Sequence, residues 1–181
     1  MSPSELVRTA EDLVPRGNIG IAFTYNEPVI SWEYVLDTEK LAKEKGLRTV
    51  LVTNGCACAK VWDTLIQYTD ALNIDLKAFT ERFYSMIKGD LGIVRRNIAA
   101  AHEKCHVELT TLIIPGENDT REEIAALAQW VSSIDPDIIL HISRFFPRHR
   151  MTDRKATDVT LVYSLADEAR KYLGNVYTGN C

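Results

Sequence analysis

Apolar and polar positions alternate along the chain in two rhythms, and the rhythms take turns. Ser2-Pro3-Ser4-Glu5 reads as a helix start, with Ser2 as N-cap, Pro3 in the first turn and Glu5 closing a capping box. Leu6, Val7, Ala10, Leu13 and Val14 then share one helical face. NIGIAF (18–23) reads as a buried strand. A helix follows in which Ile30, Tyr34, Leu41 and Ala42 are expected to face inward, ending at Gly46. RTVLVTNG (48–55) predicts a strand, VWDTLIQY (61–68) a helix and ALNIDLK (71–77) a strand; two helices fill 80–103. HVELTTLII (106–114) is a strand closed by Pro115-Gly116. Thr120 and Glu123 then cap a helix with Ile124, Leu127, Ala128 and Val131 at i, i+3, i+4, i+7. DIILHIS (137–143) predicts a strand, 157–172 a helix and NVYTG (175–179) a last strand; 144–157 is irregular. Apolar strands separated by helices predict a parallel sheet covered by helices, either doubly wound or of the barrel type. The first connection has no G-x-G-x-x-G, which argues against a dinucleotide fold.

Composition narrows the class. The 181 residues suffice for one domain, and 46% hydrophobic with 25% charged residues is ordinary for a globular protein. A net charge of −4 argues against a general nucleic-acid grip. No apolar run reaches the ~20 residues of a membrane span, and the N-terminus has no apolar signal segment. Four cysteines without a framework spacing fit a cytoplasmic protein. We find no repeat and no linker, so 1–181 is read as one domain.

The candidate chemistry lies where strands end, which in a barrel is where active sites lie. AFTYNEP (22–28) breaks off an apolar run into Tyr25, Asn26 and Glu27. The second strand ends in Thr53, Asn54 and Gly55, and the third in Asp75 and Lys77. Glu108 and Thr110 alternate inward on the fourth; the fifth ends in His141, Ser143 and Arg144, and the sixth in Gly179, Asn180 and Cys181. Plainer readings stand beside these. Asn54-Gly55 is also a turn signal. Asn118-Asp119-Thr120 suits capping. Asp75 and Lys77, two apart on a strand, can simply pair, although a buried pair in an apolar strand is costly without a role. Arg144, Arg148, His149 and Arg150 can be a solvated loop, and His102 and His106 structural.

Six stretches together carry a family resemblance: TYNEP (24–28), SWEYVLDTEKLAKEKGL (31–47), VTNG (52–55), NIDLKAF (73–79), VELTTLIIPGENDTREEI (107–124) and HISRFFP (141–147). The chain resembles the radical S-adenosylmethionine (SAM) enzymes of the pyruvate-formate-lyase-activating-enzyme type, nearest to the AmmeMemoRadiSam group. The resemblance implies an α/β fold, a partial (βα)6-type TIM barrel of parallel strands. It implies SAM as cofactor, with Tyr25, Asn26 and Glu27 at its amino group. Thr53, Asn54, Asp75 and Lys77 would stand at ribose and carboxylate, Thr110 at the nucleoside, and Ser143 and Arg144 near the adenosyl part. It also implies a [4Fe–4S] cluster on a Cys-x3-Cys-x2-Cys loop, reductive cleavage of SAM to a 5′-deoxyadenosyl radical, and a target that can be a protein.

That loop and the first barrel strand are expected to precede Met1, so this chain is expected to ligate no cluster itself. Cys56-Ala57-Cys58 has the wrong spacing, and Cys56 and Cys58 read as loop thiols. Whether the chain is itself an enzyme is therefore left open. Two alternatives accompany the reading: a cluster-free relative that binds a nucleoside or a partner, and an aldolase-like fragment using Lys77 as an amine nucleophile, against which Asp75 argues.

Overall fold

The computed structural model describes residues 1–149 and 151–181, so the expectation for Arg150 lies outside the described residues. Among the described residues six strands run in the order β1-β2-β3-β4-β5-β6. They are β1 (Gly20–Phe23), β2 (Arg48–Thr53), β3 (Ala71–Asp75), β4 (His106–Ile113), β5 (Ile139–Arg144) and β6 (Val176–Gly179). The pairings β1–β2, β2–β3, β4–β5 and β5–β6 are parallel, and helices connect the strands, giving the expected α/β class. The helices are α1 (Pro3–Asp12), α2 (Trp32–Glu44), α3 (Ala59–Leu65), α4 (Glu81–Met86), α5 (Leu91–His102), α6 (Arg121–Ile134) and α7 (Val159–Ala169).

The chain divides into two compact units, Met1–Ile74 with Ile93–Val107, and Asp75–Gly92 with Glu108–Cys181. In the first, α1 starts with the capping box the sequence announces: Ser2 N donates to Glu5 Oε2 at 2.7 Å, and Glu5 N to Ser2 Oγ at 3.3 Å. Val7, Ala10, Ala42 and Leu47 form a core cluster under Ile21. Leu13 and Val14 are exposed, because α1 has ended at Asp12 and the chain turns through a short 3-10 turn to Gly17. Ile30, expected inward, is 79% exposed. It lies in the 3-10 turn Pro28–Ser31, whose three-residue period puts it out of phase with α2. Close approach fixes one glycine in β1: a Cβ on Gly20 would stand 1.9 Å from the Arg48 carbonyl oxygen.

The second unit buries alternate residues of β4 and β5, among them Leu109, Ile113, Leu140 and Ile142, against Ile124, Leu127, Val162 and Leu165 of α6 and α7. The intervening residues Glu108, Thr110, His141 and Ser143 are half-buried on the other face. Thr120 is the N-cap of α6, its hydroxyl accepting from Glu123 N, so the capping alternative holds for that residue. The irregular segment after β5 is tied down at its far end. The buried Thr157 hydroxyl donates to the Ile113 carbonyl at 2.6 Å and accepts from Phe145 N at 3.2 Å.

Candidate functional site

Each unit assembles half of the ten expected site residues. In the first, Phe23, the last residue of β1, pairs with Leu51, and β2 runs two residues further to Thr53, where the segment that follows β1 reaches it. Glu27 joins them. Its Oε1 accepts from Thr53 Oγ1 at 2.5 Å and from Val29 N at 3.2 Å, and its Oε2 accepts from Asn54 N at 2.7 Å. A carboxylate offers about four acceptor positions, so the clamp leaves room for one further donor. The cluster continues through Thr53 Oγ1, which accepts from Gly55 N at 3.2 Å. Gly55 sits at φ +68 with its Cα beside Ile74, where a Cβ would come within 2.7 Å of Ile74 Cγ2. Gly55 thus has a left-handed backbone, and the Asn54 side chain accepts from Cys56 N at 2.8 Å while Asn54 N donates to Glu27.

Tyr25 and Asn26 are exposed beyond the tip of β1, and the peptide joining them is cis. With Glu27 and Tyr34 they line a cavity of about 380 Å³. A second cavity, of about 350 Å³, is bounded by Glu27, Asn54, Trp32, Cys56 and Cys58. Behind this region stands Asn97 on α5, which the sequence did not single out. It is fully buried, and its side-chain amide donates to the carbonyls of Gly55 and Ala57, both at 2.9 Å. Its own carbonyl accepts from Trp62 Nε1 at 2.8 Å.

In the second unit, Lys77 Nζ and Asp75 Oδ2 pair at 2.5 Å. The pairing alternative is thus what the structure shows, but the two side chains remain 35% and 30% exposed, within reach of a ligand. The Lys77 backbone is held on both sides: its N–H donates to Tyr84 Oη at 3.3 Å, and its carbonyl accepts from Asn118 Nδ2 at 2.7 Å. Asn118, fully buried, also donates to the Leu112 carbonyl and accepts from Ile114 N. Within the Asn118-Asp119-Thr120 run, capping belongs to Thr120, while Asn118 shapes the loop that carries Lys77.

Thr110 pairs in register with His141, and His141 with Tyr177; Leu112, Ser143 and Gly179 form the next row. His141 Nε2 lies 2.6 Å from Glu108 Oε2, with the Tyr177 ring stacked at 5.8 Å. Both His141 and Glu108 stood in the sequence at their strands without an assigned role. Arg144, at the end of β5, donates from Nε to the Thr157 carbonyl at 2.7 Å and lays its guanidinium 4.6 Å from the centre of the Phe146 ring. Glu117 accepts from Arg154 at 3.0 Å and from Arg82 at 3.2 Å, and these guanidinium bonds, Arg154's first, hold its carboxyl below the usual range.

The residues present do not fit an iron–sulfur cluster. Cys105 is buried, its thiol donating to the carbonyls of Thr69 and Ile66, and burial pushes its pKa up to about 12. Cys56 and Cys58 supply two thiols, and Cys181 belongs to the other unit. Among the described residues no group of three or more His, Cys, Asp or Glu is placed to hold a metal ion. No helix among them is long and apolar enough to cross a membrane.

Comparison with known proteins identifies the family and the fold. The family model of the Radical SAM superfamily matches residues 1–131. An uncharacterized protein of Methanocaldococcus jannaschii is 32% identical over 99% of this chain and 54% of its own length. A pyruvate formate-lyase-activating enzyme of Clostridium pasteurianum is 26% identical over 84% of this chain and 63% of its own. The chain thus spans between half and two thirds of the length of these two relatives. Among solved structures, a domain of pyruvate-formate lyase-activating enzyme from Bacteroides vulgatus superposes with a TM-score of 0.74 at 19% identity, over 89% of this chain and 99% of that one. At that identity the likeness speaks for the fold.

Proposed function

This chain belongs to the radical SAM superfamily, and from that premise we propose that it is the SAM-binding core of an activating-enzyme-like protein. The reading takes 1–181 as one partial-barrel domain. One observation carries it: Glu27 gathers Thr53 Oγ1 and the Asn54 N–H at two strand tips, beside two cavities, with one acceptor position to spare. That arrangement suits an ammonium. The backbone of Tyr25 and Asn26 with the free position on Glu27 would receive the SAM amino group. Lys77, its backbone held by Asn118 and Tyr84, would offer its ammonium to the SAM carboxylate, a charge-assisted contact. Asp75 would orient Lys77 and accept from a ribose hydroxyl, and the resemblance gives Thr53 and Asn54 to ribose and carboxylate as well. Thr110, Ser143 and Arg144 would line the nucleoside end; Arg144 stacked on Phe146 presents a flat face of the kind an adenine ring packs against.

In the superfamily a [4Fe–4S] cluster supplies the electron that cleaves SAM to a 5′-deoxyadenosyl radical. The cysteines here do not fit it, and we derive no step through it. By likeness to the activating enzyme of Clostridium pasteurianum, the radical's target is a protein.

Calorimetry with SAM tests the pocket. Saturable heat is expected from the wild-type chain, with weaker binding in Glu27→Gln, Asp75→Ala and Lys77→Ala. Losing one charge-assisted hydrogen bond predicts a loss of roughly tenfold or more in affinity. Equal heats for wild type and Asp75→Ala remove the role given to the tip of β3. An absence of heat from the wild type overturns the reading.

A further inference from the structure

The cysteines of the first unit are of two kinds. Cys105 is buried, hydrogen-bonded and inert. Cys56 and Cys58 are exposed, while Ala57 between them is buried. Extended backbone produces that alternation, setting residues i and i+2 on one face. The segment is held in this form from behind, by the paired bonds from Asn97 to the Gly55 and Ala57 carbonyls. Cys58 has extended dihedrals, φ −62 and ψ 149. Both cysteines line the same cavity of about 350 Å³, where Trp32 and Val61 form an apolar wall.

Two extended residues span ~6.6 Å. That is the far end of the Cα separation a disulfide tolerates, and Asn97 opposes the backbone movement that would shorten it. The two residues are free thiols on one cavity, two positions apart, which suits a single ion shared between them. A structural zinc needs four ligands, and no third His, Cys, Asp or Glu among the described residues joins them. Glu27 lines the same cavity, but it does not join the two thiols in any group placed to hold a metal ion. What remains is an ion content with two soft donors.

We propose that Cys56 and Cys58 form a two-sulfur site for a soft monovalent cation of the Cu(I) class, held against Trp32. Binding replaces the thiol protons, which pass to solvent, and no electron is transferred.

The test presents the reduced chain with Cu(I) as its bicinchoninate complex, whose colour reports the copper the chelator retains. The wild-type chain and Cys181→Ser are each expected to withdraw one copper per chain. Cys56→Ser and Cys58→Ser are each expected to lose that transfer while keeping the wild-type melting midpoint, since both side chains are exposed. The proposal is overturned if the wild type withdraws no copper, if the Cys56→Ser/Cys58→Ser double variant still withdraws it, or if Cys181→Ser also loses it. A stoichiometry of one copper to two chains overturns it as well, because the ion would then bridge copies.

Discussion

Two glutamates of the first unit each accept from a threonine hydroxyl, and their fates differ. At the strand tips, Glu27 takes Thr53 Oγ1 at 2.5 Å and two backbone N–H groups besides. Under the helices, Glu39 on α2 takes Thr69 Oγ1 at 2.7 Å, and its Oε2 is buried without a partner. Glu39 is 0% exposed, and burial, opposed in part by the Thr69 bond, raises its pKa from 4.5 to about 7. The hydroxyl is common to both sites; the two differ in the backbone donors added to it and in contact with water. A carboxylate given three donors at a surface is a binding group; one given a single donor in the core turns into an acid that holds its proton.

The largest effect should come from breaking the tip region from behind. Asn97→Ala leaves the Gly55 and Ala57 carbonyls without their donor in a buried setting, at ~1–3 kcal/mol each. A loss of about 4 kcal/mol in urea unfolding is expected, and a loss under about 1 kcal/mol would show that water replaces the amide.

Next in size is the pH dependence of Glu39. Its folded pKa is raised, so the folded protein binds the proton more tightly than the unfolded chain. The stability this confers is complete below pH 4.5 and is lost as pH rises through about 7. The full difference is about 3 kcal/mol. Glu39→Gln should flatten this part of the profile, so that the variant gains on wild type between pH 5 and 8 in paired denaturant titrations. Parallel profiles would place a solvating partner on Oε2. The smallest effect sharpens the comparison directly. Thr53→Val should cost about 1 kcal/mol at neutral pH, because Glu27 keeps two N–H donors. Thr69→Val removes the donor that Glu39 has among the described residues, and should therefore push its pKa further up and steepen the loss of stability with pH. Equal responses from the two threonine variants would erase the distinction.

Local rules made much of this legible in the sequence. Ser2 and Glu5 are three residues apart, and so are Thr120 and Glu123; those caps need no knowledge of the fold. The strand runs were readable because burial on a sheet face needs apolar residues at short range. Ile30, Leu13 and Val14 were misplaced because a helical period was carried through residues that are not α-helical. Asn97 was invisible for a different reason: its partners Gly55 and Ala57 lie about forty residues away, and only the packing of α5 brings them together. Asn118 likewise has the look of a turn residue, and its bond to the Lys77 carbonyl spans 41 positions. The unpartnered oxygen of Glu39 leaves no mark in the sequence, where the residue is one more polar position on an amphipathic helix.

Asn118 has a consequence for how this protein tolerates change. It closes its own loop onto Leu112 and Ile114 and fastens Lys77 with the same amide. Thr120 then opens α6 as a fresh start. The connection from β4 is thus sealed by one side chain and carries its own lysine anchor, like a buckle sewn to the strap it fastens. Substitutions on the outer face of α6 should therefore leave the Lys77 backbone where Asn118 holds it.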